Sequence, residues 1–391
     1  MEPDFMLDFD MSSLSMSNDL DALFFSPEAH ALQDLLEVES MLLQEEGHND
    51  STVAGTPLRA SRDAAPPPPV RVRQLQPARE QCYSVLLGGA ALSRPAVCGA
   101  AIAFGTESEN GPNRLVLVDS IARPAGQSRI VPVAGAVTAL AFVGSEEHVC
   151  FGRSGGGLAL LRNADGAEPA YLDAWHADDV RDLALLRGSH RHQLASCSFD
   201  GTVCLCDVLQ GLPLLRMDLR TAASSVAAHP RHPQVLSCTV DAGALVLRDL
   251  RVGRVANSKH STQPLAGLTD RFEQTGGLLD HVWTGDYECV LAYGNGSLAR
   301  LDSRTGRMLS LVQCEEKQLD SVEYHDTSAT LAVFGTGCTL FSLMADASPV
   351  ECARYRPRFD RASRNAGAFG ASDQPTLFVT APDSSLVKLE P

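Results

Sequence analysis

Three cysteines stand close together in this chain of 391 residues, Cys197, Cys204 and Cys206. Their C-x6-C-x-C spacing lacks the paired C-x2-C knuckles of a zinc site. Alternation instead puts Cys204 and Cys206 on one face of a strand, where small apolar side chains pack in a core. The Gly-rich run GRSGGG at 152–157 lies between two strand-like segments rather than between a strand and a helix, and it has no Lys. It reads as a turn, not a phosphate cradle. His190 and His192 in SHRHQ, and His229 and His232 in HPRHP, have spacings that bind adventitious metal but suit solvated loops better. No Ser, Cys or Asp occupies a nucleophile elbow. No catalytic residue, cofactor or metal is therefore expected, and the chain reads as a non-enzyme.

The elements that would carry these residues repeat. DDVRDLALLRGSHRHQLASCSFDGTVCLCDVLQG is followed by TAASSVAAHPRHPQVLSCTVDAGALVLRDLRVG, each running apolar strand, loop, small-residue strand, tight turn, apolar strand, Asp. A small residue ends the second strand of each unit: Gly152, Ser198, Thr239, Gly294, Gly335 and Thr380, spaced 46, 41, 55, 41 and 45 apart. A period of roughly 40 to 45 residues is the blade interval of a β-propeller. The excess in the 55-residue interval falls in the polar stretch 256–275, read as a loop insertion. Strands LALLRN (158–163), TVCLCDV (202–208), ALVLRDL (244–250), SLARLDS (297–303), CTLFSLM (338–344) and SLVKLEP (385–391) follow the markers. YSVLLGG (83–89), AAIAFGT (100–106) and RLVLVDS (114–120) supply a seventh blade. Closure is expected from a segment near 70–75 pairing beside the last strand, so that no edge stays open.

The units resemble WD repeats. The signature Trp-Asp is replaced by Cys206-Asp207, Arg248-Asp249 and Leu301-Asp302, and the chain has two Trp, Trp175 and Trp283. A polar network that rigidifies each blade is expected from His176 with Asp200, and in the next unit from His229-Pro230 with Asp241. The fold class is thus all-β, a seven-bladed WD-repeat propeller over 81–391, preceded by a disordered acidic arm.

That arm is a different polymer. Residues 1–58 hold thirteen Asp and Glu and no Lys or Arg, so they carry −13 of the net −16 and leave −3 for the rest. Acids alternate with Phe5, Met6, Leu7, Phe9 and Leu20, a composition that does not build a core. Ser26-Pro27-Glu28 is a helix start, and Leu32, Leu35, Leu36, Met41, Leu42 and Leu43 extend an amphipathic pattern over 27–46. The arm is either a solvated tail, a partner-docking helix or a lure for Arg-rich chains. Residues 59–80 form a Pro/Arg-rich linker and lead-in around Pro66–Pro69. Its five Arg lack interleaved aromatics, so direct nucleic-acid binding is not expected. No apolar run spans a membrane and no secretory signal opens the chain, which points to cytoplasm and nucleus.

RQLQPAR (73–79), LLGGAALS (86–93), AGAVTALAFVGSEEHVCFGRSGGGLALL (134–161), HADDV (176–180) and the closing RNAGAFGASDQPTLFVTAPDSSLVKLEP are similar to the WD-repeat subunit of the methylosome, the methylosome protein 50 family. The resemblance covers about 66–391. It implies a non-catalytic adaptor for the type II protein arginine methyltransferase, presenting histones or Sm-type proteins for symmetric dimethylation. It also implies a docking face of Arg73, Gln74, Leu75, Leu92, Ser93, Arg94, Val97 and Phe104. The family's interface Trp falls at Val97, with Phe104 at a neighbouring aromatic position. The alternative is a scaffold propeller of a nuclear-pore-type or other multiprotein assembly.

Overall fold

The computed structural model describes residues 73–74, 82–84 and 91–389, outside 108–111, 120–127, 165, 173–174, 188–191, 242, 251–262, 265–276, 316–318, 344–347, 356–365, 371–374 and 381–384. Contacts divide the chain into Met1–Pro68 and Pro69–Pro391, and the described residues all belong to the second unit. The acidic arm, its 27–46 helix and Leu75 lie outside the described residues.

Seven sheets are present among the described residues, antiparallel except where Arg73–Gln74 joins Val350–Tyr355. Blade 1 runs from Ala91–Leu92 and Ala96–Cys98 through Ala101–Glu107 and Asn113–Asp119 to Ser128–Val133. The inner strands of blades 2 to 7 are Val137–Phe142, Val180–Leu185, Ala223–Ala228, Leu278–Trp283, Leu319–His325 and Ala366–Phe369. Each inner strand packs beside the next, and Ala366–Phe369 meets Ala96–Cys98, so the ring closes. This is the seven-bladed β-propeller that the repeat period predicts.

The second and third strands of the blades are buried on both faces, because each blade is sandwiched between two others. Gln193–Ser198 and Thr202–Asp207 show why continuous apolar runs were needed: both are buried along nearly their whole length. The apolar core divides into clusters that lie between neighbouring blades. Ala195, Cys197 and Val203 of blade 3 meet Val226, Leu236 and Cys238 of blade 4. At the closing seam Ile102, Phe104 and Val116 of blade 1 meet Phe378 and Leu386 of blade 7. Outer strands alternate instead. Arg307–Gln313 exposes every second residue, as a strand covered on one face should.

Closure differs from the expectation. Arg73–Gln74 pairs parallel with Val350–Tyr355, the outer strand of blade 6, and not beside the last strand. The strand beside Ser385–Leu389 is Cys82–Ser84, antiparallel. Cys82–Ser84 therefore completes blade 7, and the segment assigned to blade 1 at 83–89 gives its first residues to the other side of the seam. The cause is connectivity: blade 7 has three strands of its own, so its fourth must come from the front of the chain. The lead-in thus contributes backbone to two blades. Within 256–275, Gln263–Pro264 pairs with Ala244–Asp249 as the outer strand of blade 4, so that stretch is not wholly an insertion.

Candidate functional site: the central channel

The inner strands surround one cavity of about 1410 Å³, lined by residues of every blade. A repeated irregularity aims side chains into it. In blades 2 to 6 the inner strand carries one residue more than its partner: Thr138, Arg181, Ser224, Leu279 and Asp320 each fall at a register shift. All five line the channel. A bulge frees a residue from the ladder and turns its side chain away from the packed faces.

The residue after the bulge joins blade to blade. Asp182 Oδ2 accepts from Val226 N–H of blade 4 at 3.0 Å, and Asp280 Oδ2 accepts from Val322 N–H of blade 6 at 2.9 Å. Ser225 Oγ–H adds a bond to Asp182 at 3.1 Å, and the same hydroxyl lies 3.3 Å from His281 Nδ1 of blade 5. His281 Nε2 lies 2.6 Å from Ser237 Oγ, to which Trp283 Nε1–H also donates at 2.9 Å. Blades 3, 4 and 5 are thereby stitched by one buried polar chain. Neither His281 nor Asp182 was singled out from the sequence. The signal available was a polar residue recurring at one strand position, Asp182, Ser225, Asp280 and Ser321.

Arg94 crosses this space. Its guanidinium donates to Asp280 Oδ2 at 3.2 Å, to the Val322 carbonyl at 3.2 Å and to Glu323 Oε1 at 2.5 Å. Burial works against its charge, but Glu323, Asp280 and Asp182 outweigh that and raise its pKa. Asp182 is pushed up to about 6, chiefly by burial, with Arg94 opposing and Asp280 adding to the rise. His281 is pushed down to about 4 by burial.

The predicted docking residues do not form one surface. Phe104 is fully buried at the seam of blades 1 and 7, so it is a core residue and not a contact for a partner. Arg94 faces the channel rather than the outside, because three carboxylates there compete for it. Ser93 turns its hydroxyl to its own blade, accepting from Gly105 N–H at 2.7 Å. Val97 is half-buried, packed on the cluster around Phe104 and lining the channel. Arg73–Gln74 lies on blade 6, while Leu92 belongs to the inner region of blade 1.

The predicted blade network is present around His176. His176 Nδ1 lies 2.9 Å from Thr202 Oγ1 and 3.4 Å from Asp200 Oδ1, and Nε2 lies 2.8 Å from Ser196 Oγ. Asp200 accepts from Ala177 N–H and Thr202 N–H, each at 2.8 Å. Burial pushes the His176 pKa down while Asp200 resists. The second pairing is not formed. His229 and Asp241 lie at opposite ends of Val235–Val240, roughly 20 Å of extended chain. Asp241 is exposed at the channel, whereas His229 is buried against Trp283 with ring centroids 4.4 Å apart. His229 Nδ1 accepts from Arg231 and His232 N–H, each at 3.2 Å, so HPRHP is a turn organised around a buried imidazole.

GRSGGG is a turn: Gly156 has φ of +90°, and a Cβ there would lie 2.2 Å from the His176 carbonyl oxygen. Cys204 and Cys206 pack in the cluster between blades 2 and 3, and Cys197 in that between blades 3 and 4. Among the described residues no group of three or more His, Cys, Asp or Glu is arranged to hold a metal ion.

The ring superposes on solved propellers. A chain in the crystal structure of the mitotic checkpoint complex aligns with TM-score 0.64 and 14% identity over 88% of this chain and 99% of that one. The WD40 propeller domain of Doa1 gives 0.63 and 11% over 81% and 96%. The RRP9 WD40 repeats give 0.65 and 15% over 81% and 99%. The fold is that of the WD40 propellers. Identities this low carry the fold alone, and no protein-family model or curated protein sequence matches the chain. The worn signature now has a structural reading in this WD40 ring. The Asp of Cys206-Asp207 accepts from Leu209 and Gln210 N–H, each at 3.1 Å, and caps the turn that follows, a role that survives loss of the Trp.

Proposed function

We propose that this WD40 ring is a non-catalytic adaptor for a type II protein arginine methyltransferase, presenting basic substrates such as histones or Sm-type proteins for symmetric dimethylation. Rings of this kind are typically protein-interaction scaffolds, and the closed seven-bladed architecture is the observation that carries the adaptor reading. The methyltransferase assignment rests on the resemblance of RQLQPAR, LLGGAALS and the closing segment. Of the docking residues that the resemblance implies, Arg73–Gln74 lies on the outer strand of blade 6 and Leu92 and Val97 on the inner side of blade 1, so the enzyme would meet them as separate contacts, without Phe104. The acidic arm would concentrate cationic substrates near the enzyme. Affinity capture of the tagged full chain, followed by mass spectrometry and a methylation assay, tests this reading. Stoichiometric recovery of the methyltransferase, with raised symmetric dimethylation of a Gly-Arg-rich substrate, is expected. Recovery of nuclear-pore-type scaffold subunits without the enzyme would replace it. A fluorescent fusion should distribute between cytoplasm and nucleus.

A further inference from the structure

A second cavity, of about 560 Å³, lies on the rim between the outer strands Ala170–Leu172 of blade 2 and Leu212–Asp218 of blade 3. Its lining joins Leu172, Pro213 and Leu214 of those strands to the buried Trp175. The blades come close beside it: Gly211, at φ of +66°, passes so near blade 2 that a Cβ there would lie 3.3 Å from Leu172 Cδ2. Apolar side chains crowd the open edge, where Leu209 is 43%, Leu212 50% and Leu214 41% exposed. A contiguous run of this kind marks a surface that another chain covers.

An apolar groove by itself does not name its occupant, but the charge beside it does. Arg216 is the one charged residue in the lining, and its side chain is half exposed. Two of its donors are used, one on the Trp175 carbonyl at 2.9 Å and one on Asp200 Oδ2 at 3.3 Å, and a guanidinium has more. Asp200 is already occupied by Ala177 N–H, Thr202 N–H and the Thr202 hydroxyl, so Arg216 keeps donors for an acid from outside. Trp175 holds a second unfilled donor. Its indole N–H makes no hydrogen bond among the described residues, whereas that of Trp283 donates to Ser237 Oγ.

We infer that this groove is a docking site for an extended segment of a partner protein, which sets an aromatic or branched apolar side chain against Leu172, Trp175 and Leu214 and a neighbouring carboxylate against Arg216. A carboxylate matches the planar guanidinium fork, and a charged hydrogen bond at the edge of an apolar groove is stronger than one in open water. The Trp175 N–H then donates to a backbone carbonyl of the same segment. Side chains carry the recognition here. Pro213 has no N–H, and Leu214 stands out of register with Thr202–Asp207, which blunts this edge against an added strand. The volume falls within the roughly 300–1,000 Å³ of sites that enclose a ligand. This partner is separate from the enzyme proposed above, and the test omits the methyltransferase, so the two readings fail independently.

Random dodecapeptides displayed on phage and selected on the purified full chain give the preferred sequence, and fluorescence anisotropy of the labelled winner measures its affinity. Winners should carry Phe, Leu or Ile beside Asp or Glu. Replacing the peptide's acid by Lys, or Arg216→Gln in the chain, should weaken binding at least about fivefold, and Leu214→Asp at least about tenfold. Leu311→Asp, at a leucine of comparable exposure on blade 5, should change nothing. Leu214→Asp alters an exposed side chain and should fold, whatever becomes of Arg216→Gln. No enrichment over the Leu214→Asp chain, a basic consensus, or unchanged affinity in that variant would overturn the inference. Binding that emerges only once residues 1–58 are deleted would assign the groove to the chain's own arm and sink it. A dimer that dissociates on Leu214→Asp would assign it to a second copy, with the same result.

Discussion

The guanidinium of Arg94 in blade 1 lies 3.2 Å from Asp280 Oδ2 in blade 5, a contact between residues 186 positions apart. It spans the channel instead of joining neighbours, so the ring is braced across its diameter as well as around its circumference. Asp280 is almost fully buried, and removing its counter-charge leaves a desolvated carboxylate. Arg94→Met should cost about 3 kcal/mol, and Asp280→Asn in that background should recover part of it. A double-mutant cycle by chemical denaturation measures the coupling; additive effects would show that the brace contributes nothing.

Asp200 ties Ala177 N–H, Thr202 N–H and Thr202 Oγ–H to the buried imidazole of His176. Asp200→Ala orphans these donors, and a loss of about 2–4 kcal/mol is expected in thermal or urea unfolding. Asp241→Ala, at an exposed turn, should change stability by less than about 0.5 kcal/mol.

Phe104 supports the seam on which closure depends. Phe104→Asp should prevent soluble folding, while Phe104→Leu should cost about 1 kcal/mol and leave partner capture unchanged. A folded Phe104→Asp chain that selectively lost a partner would return this residue to a surface role.

Two buried groups set opposing pH slopes. The folded pKa of His281, about 4, lies below its ordinary 6.5, so its contribution is present above 6.5 and is lost as pH falls toward 4. The folded pKa of Asp182, about 6, lies above its ordinary 3.8, so stability is gained as pH falls through the same range. Asp182→Asn should therefore steepen acid destabilisation between pH 6.5 and 4, and His281→Gln should flatten it. Melting temperatures across that interval test both, and parallel curves for all three proteins would contradict the assignment.

The two front strands carry an expectation separable from that of the acidic arm. Deleting residues 1–58 should leave the melting temperature unchanged, whereas deleting residues 1–86 removes the strand beside Ser385–Leu389 and should lower it and promote association through the bared edge. Equal melting of the two truncations would show that Cys82–Ser84 does not close the ring.

Blade count and most strands were legible because period and burial coincide: Ser198, Gly335 and Thr380 end strands where the repeat places them. The His176–Asp200 pairing was legible too, since it needs only one blade's local geometry. Closure was not, because Arg73–Gln74 and Cys82–Ser84 are too short to show alternation and pair with strands hundreds of residues later. The channel was hidden for a related reason. Arg94, Asp182, Asp280 and Glu323 come from four blades, and no spacing along the chain records who faces whom across a ring.

The bulged positions separate the material of the barrel from what its bore presents. Thr138, Arg181, Ser224, Leu279 and Asp320 stand outside the register of their ladders and line the channel, so exchanging any one of them alters no strand length and no ladder pairing. Heritable change can therefore rewrite the bore one sector at a time while the wall stays constant. A scaffold with that freedom acquires a new recognition chemistry by point substitution, without first finding a new fold.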